Sequence, residues 1–204
     1  MTAAGAKPSP LPVSPRLVEA VEEARRLHDG QGRKGTATPY LAHLFAVTAL
    51  VLEDGGSEDE AIAALLHDGP EDVGGEATLA DIRERFGDPV AAIVAACSDT
   101  FETPKPPWRE RKESYLAHLD EPGTSQGTLR VSLADKLHNA RALLLDYRAE
   151  GDAVWERFKT RSAADQIWYY RTLADIFCRR RTGRMADELE RVVGELERAV
   201  GRRS

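Results

Sequence analysis

At Ser14-Pro15, Thr38-Pro39 and Asp88-Pro89, a side chain able to cap a helix stands directly before a proline. Proline lacks the N–H that a helix interior needs, but in the first turn that donor is unbonded anyway and the fixed φ suits the helix. Each pair therefore reads as a helix start. After Pro15, Leu17, Val18, Val21, Ala24 and Leu27 fall on one stripe, and Gly30 can end the segment. Ser57 with Glu60, and Thr78 with Asp81, have the spacing of a capping box. Further helical patterns run through 109–119, 128–148, 161–180 and 185–200, with a plain turn at 120–127 and a stiff Pro-rich loop at 103–108. No stretch alternates in the way a half-buried strand requires, and no repeat is present. The expected fold is all-α: one helical domain over 14–204, behind a flexible arm at 1–13.

The chain's 204 residues suffice for one well-buried core and are short for two. A formal net charge of −6 leaves no overall basic field for nucleic acid, so an anionic ligand needs a local basic pocket. Cys97 and Cys178 lie far apart without CxxC spacing, and both read as small core residues. No window approaches the roughly 20 apolar residues of a membrane span, and the first residues lack a compact apolar signal core. A reducing cytoplasm is the expected compartment.

One segment does not fit a purely structural reading. "ALLHDGPED", residues 64–72, ends an apolar helix with His67, Asp68, Glu71 and Asp72 close together. Clustering an imidazole with three carboxylates is costly unless a cation or a reaction uses them. Gly69-Pro70 suggests that the helix ends near Asp68 and that Glu71 and Asp72 lie on the following turn. Further along, Asp135 stands in an apolar stretch with Asn139 one turn later, and neither Lys136 nor Arg141 is well spaced to pair with it. His43 sits on another inner helix. Two histidines and two aspartates suit a borderline divalent ion such as Mn²⁺, Fe²⁺ or Zn²⁺, whereas Ca²⁺ prefers oxygen alone.

"GRKGTATPYLAH", "AALLHDGPED", "FGDPVAAIV" and "VSLADKLHNAR" come in an order that resembles the HD-domain hydrolases of the RelA/SpoT type, especially the small stand-alone alarmone hydrolases. The resemblance covers residues 24 to about 146. It implies a helical HD bundle in which His43, His67, Asp68 and Asp135 hold a metal, usually Mn²⁺. It also implies that Glu71 and Asp72 orient the attacking water and move its proton, that Arg33 and Lys34 meet the substrate's phosphates, and that Asn139 lines the nucleotide pocket. The implied reaction is removal of the 3′-pyrophosphate of guanosine tetra- and pentaphosphate, giving GDP or GTP. Leu44 follows His43 where proline is common in the family, and the Lys34–Tyr40 loop is about one residue longer than in the bifunctional enzymes. At this length a hydrolase without a synthetase domain is expected.

Basic residues in "TFETPKPPWRERK" are available for a phosphate-binding rim, and Tyr170 of the "WYY" run for flanking a base. His28, His118 and His138 are assigned to structure. Competing functions are hydrolysis of adenosine alarmones, a phosphatase acting on the 2′-phosphate of NADPH, and a non-catalytic HD module that senses a nucleotide.

Overall fold

The computed structural model describes residues 14–100, 104–181 and 183–202. The expected arm at 1–13 lies outside them. The chain forms α1 (Pro15–Leu27), α2 (Leu41–Glu53), α3 (Glu58–Leu66), α4 (Gly69–Asp72), α5 (Glu76–Phe86), α6 (Asp88–Cys97), α7 (Trp108–Asp120), α8 (Gln126–Glu150), α9 (Ala163–Arg180) and α10 (Arg184–Gly201). A 3₁₀ helix, Gly151–Arg157, joins α8 to the turn before α9. The described residues hold no sheet, only a single bridge between Gly32 and Pro39. The all-α expectation is met.

The helix α3 explains the architecture. From Ala61 to Leu66 every residue has 0% exposure, so this helix is apolar all round and must be enclosed on every side. It packs against α1, α2, α6 and α8. Ser57 caps it with the full reciprocal box to Glu60. The strongly amphipathic α10 lays Leu189, Val192, Val193 and Leu196 onto α8 and α9. One continuous apolar cluster runs from Ala20 to Leu196. No described helix is long and apolar enough to cross a membrane.

Two expected starts are displaced, each for a local reason. The helix after Thr38-Pro39 begins at Leu41, because residues 31–40 first form a tight loop. Arg33 N–H donates to Thr38 C=O at 2.8 Å, and Tyr40 N–H donates to Gln31 C=O at 2.9 Å. Thr78 does not cap α5. Gly74 and Gly75, both at positive φ, turn the chain early enough for the helix to start at Glu76. The Thr78 hydroxyl donates to the Val73 carbonyl instead.

Candidate metal centre and nucleotide cleft

The central helix ends its apolar run at Leu66, leaving His67 as the C-cap and Asp68 next to it on the same turn. The first turn of α2 brings His43 to this point, and the middle of α8 brings Asp135. His43, His67 and Asp135 are all buried. His67 Nε2 lies 3.0 Å from Asp68 Oδ2 and 3.7 Å from Asp135 Oδ1. His43 Nε2 lies 3.2 Å from Asp135 Oδ1 and 3.6 Å from Asp68 Oδ2. The buried Nε2 atoms make no well-aligned hydrogen bond, so the four groups converge on a common point instead of pairing off.

Both rings are held from behind. His67 Nδ1 is 2.9 Å from the Ala64 carbonyl, which can only accept, so Nδ1 carries the proton. His43 Nδ1 is 2.8 Å from His138 Nδ1. His138 is pushed down to about 4 by burial and by the adjacent His43 and Arg33, so it is neutral and can accept. That turns Nε2 of both His43 and His67 toward the centre. Donor atoms of His43, His67 and Asp135 lie within 4.8 Å of one another. Buried nitrogens without partners, facing two carboxylates, fit a divalent ion.

The carboxylates are fixed as well. Asp68 accepts from Tyr40 Oη at 2.6 Å. Asp135 accepts from Lys136 Nζ at 2.6 Å on one oxygen and from Asn139 Nδ2 at 2.5 Å on the other. Burial opposes ionisation of Asp68 and Asp135, but neighbouring His67 and, for Asp135, Lys136 outweigh it and hold both well below the usual carboxylate range. Burial likewise opposes a charged His67, yet Asp68 and Asp135 hold its pKa well above the ordinary value. A cation entering here must displace protons.

A cleft of about 820 Å³ opens over the centre, within the size range of nucleotide and drug pockets. Arg33, Lys34, Asn139 and Asp72 all line it, as do Lys112, Lys136, Tyr169 and Tyr170. Arg33 Nη2 donates to Asn139 Oδ1 at 2.7 Å, so Asn139 ties the basic loop to Asp135. Lys34 Nζ lies 5.3 Å from the Phe158 ring centroid, and burial lowers its pKa. Asp72 accepts from Gln31 Nε2 at 2.8 Å, and burial raises its pKa, with the Asp68 and Glu71 charges adding to the effect. Of the two acids only Asp72 lines the cleft. Glu71 turns to Lys105 Nζ at 3.0 Å and the Asp99 backbone N–H at 3.4 Å.

The model of the family described as "HD domain" matches residues 20–164. This chain belongs to the HD-domain family. It is similar to the guanosine-3′,5′-bis(diphosphate) 3′-pyrophosphohydrolase MESH1 of Xenopus tropicalis, at 38% identity over 130 residues, 62% of this chain and 69% of that one. The human MESH1 is 37% identical over 131 residues, 63% of this chain and 69% of that one. Among solved structures, a metazoan ortholog of SpoT, described as hydrolysing ppGpp, superposes with a TM-score of 0.72. The superposition covers 92% of this chain and 97% of that one, at 23% identity, and this likeness carries the fold.

Several details of this HD centre depart from the sequence reading. Glu71 and Asp72 sit on a short helix, α4, instead of an open turn. Lys136 pairs with Asp135 despite being its neighbour, because its long flexible stem lets Nζ reach Oδ2. His138 holds His43 and is more than scaffold. His28 stacks on Tyr40 with centroids 4.9 Å apart and holds Gln31, which in turn holds Asp72. A polar residue beside a motif was the available signal for His138. Gln31 and Tyr40 offered only their place in the loop before His43.

Proposed function

We propose that the chain is a cytoplasmic, divalent-metal-dependent 3′-pyrophosphohydrolase of guanosine alarmones, with Mn²⁺ as its working ion and residues 14–204 as one HD unit. It converts ppGpp and pppGpp to GDP and GTP with release of pyrophosphate. The observation that carries this reading is the convergence of His43, His67, Asp68 and Asp135 beneath a basic-edged cleft of nucleotide size. The similarity to the MESH1 pyrophosphohydrolases supports the choice of substrate.

In this reading the four residues hold the ion, which when bound supplies Lewis acidity at a phosphorus centre. The chain's own groups do the rest. Arg33 offers a planar fork and Lys34 a point charge to the phosphates. Asp72, kept basic enough by its raised pKa and aimed by Gln31, takes the proton of the attacking water. Glu71 anchors the short helix α4 through Lys105 and the Asp99 backbone. Tyr40, Lys136 and His138 keep the ligand atoms turned inward.

The test is incubation of pure, Mn²⁺-loaded protein with ppGpp, ppApp and NADPH separately, with products resolved by chromatography. Pyrophosphate and GDP from ppGpp are expected. Phosphate from NADPH alone, or no product from any of the three, would overturn the reading.

A further inference from the structure

The long helix α8 carries one face along the floor of the cleft: Asp135, Asn139, Leu143 and Asp146 recur at intervals of three or four residues. Asp135 belongs to the metal centre and Asn139 to the link with Arg33. Asp146 has no role in either. It stands 11 residues beyond Asp135, about 16 Å along the helix axis at about 1.5 Å per residue. Asp146 lines the same cleft as the metal centre, so this end is open to the base of a nucleotide whose 3′ phosphates meet that centre.

The group waiting there is a charged pair. Arg157 Nη1 donates to Asp146 Oδ2 at 2.7 Å, and Arg157 also pairs with Glu150. Both Asp146 and Arg157 line the cleft. The Asp146 side chain is 39% exposed, and a carboxylate has about four acceptor sites, so the bond from Arg157 leaves most of them for a ligand. The arginine is locked in place by the basic loop. At Gly35 a Cβ would stand 2.8 Å from Arg157 Nε, and the backbone has φ +75°. The guanidinium therefore lies directly over the backbone of the loop that carries Arg33 and Lys34.

We infer that Asp146, steadied by Arg157, reads the Watson–Crick edge of the substrate's base and selects guanine over adenine. This rests on the nucleotide reading of the cleft given above and extends it to the base. Guanine presents two adjacent donors, N1–H and the N2 amino group, which a carboxylate accepts together, with the O6 acceptor beside them for a guanidinium. Adenine presents one donor and, next to it, the N1 lone pair, which faces a carboxylate oxygen repulsively. Selection thus comes from both an attraction and a clash. A good bidentate contact to a base edge discriminates by roughly 10- to 100-fold.

The experiment is calorimetric titration of the Mn²⁺-loaded protein with GDP and with ADP, on wild type, Asp146→Asn and Arg157→Lys. Binding is read apart from turnover, so failure of the hydrolase reading and failure of this one are distinguishable. Wild type should bind GDP about 10- to 100-fold more tightly than ADP. Asp146→Asn exchanges one acceptor for a donor, matching adenine's pattern, and should bring the two affinities to within about threefold. Arg157→Lys should keep GDP ahead by a smaller margin, since the carboxylate remains. Equal GDP and ADP affinities in wild type, or an unchanged ratio in Asp146→Asn, would overturn the inference. A GDP preference lost in Asp146→Asn would uphold it even if ppGpp proved not to be cleaved.

Discussion

His138 and His43 face each other Nδ1 to Nδ1 at 2.8 Å, so one ring gives the proton and the other accepts it. Burial keeps His138 neutral, so its Nδ1 can accept from His43 Nδ1–H, the arrangement in which His43 Nε2 is open toward the centre. His138→Phe keeps an aromatic ring but cannot accept. Mn²⁺ affinity should fall by about 10- to 100-fold, as for other partners of metal-bound histidines. His138→Gln, whose amide oxygen can accept, should recover part of the loss. Metal titrations of the three proteins at one pH check this, and equal affinities would make His138 scaffold only.

Arg33 reaches the cleft from the loop that Gly32 and Pro39 close. Losing one charge-assisted contact to phosphate costs about 1.5–3 kcal/mol, or roughly ten- to a hundredfold in affinity. Arg33→Ala should raise KM for ppGpp by that factor while leaving the Mn²⁺ affinity close to wild type. Steady-state kinetics at fixed ionic strength, with a parallel metal titration, read both quantities. An unchanged KM would remove the loop from the site.

The two acids after the HD pair separate in a single pair of variants. If Asp72 is the base, as proposed, Asp72→Asn should lower kcat by roughly 10²-fold or more with the metal still bound, since this is the acid that lines the cleft. Glu71→Gln loses its charge against Lys105 and should cost only about tenfold, through a looser α4. If Glu71→Gln proves the more damaging, the proton is Glu71's to move.

Much of this was legible in the sequence because it is local. The Ser57–Glu60 box, the all-apolar run of α3 and the HD pair at its end depend on neighbours within a turn or two. The four candidate ligands meet in space because the end of α3, the first turn of α2 and the middle of α8 converge. What could not be read depends on contacts between distant elements or on the reach of a single side chain. His138 meets a histidine 95 residues away. Glu71 and Asp72, neighbours in sequence, diverge because successive residues on a helical turn point about 100° apart. Spacing alone speaks against a Lys136–Asp135 pair, yet a flexible four-carbon stem reaches where Cβ geometry says it should not.

Away from the site, Glu23 on α1 is buried beneath Arg26 and Arg85, which ties α1 to α5. The hydrogen bond from Arg26 lowers its pKa first of all, burial opposes this, and Arg85 adds to the lowering. A depressed folded pKa stabilises above the unfolded value of about 4.3 and is lost as pH falls through the folded one. Solvent around the partly exposed arginines screens the pair, so Glu23→Gln should cost about 1 kcal/mol at pH 7. Urea melts should show that gap closing as pH falls below about 4.3. A gap of constant size would mean that packing, and not charge, accounts for it.

The central claim is that His43, His67, Asp68 and Asp135 hold the ion on which cleavage of ppGpp depends. It is tested most directly by following pyrophosphate release from ppGpp by chelator-stripped protein, before and after addition of Mn²⁺, alongside Asp135→Ala. The account expects no turnover from the stripped chain, and recovery with Mn²⁺ to give equal amounts of GDP and pyrophosphate. It expects no recovery in Asp135→Ala at any Mn²⁺ concentration. Turnover that survives chelation, or an Asp135→Ala chain that regains full activity with Mn²⁺, would contradict it.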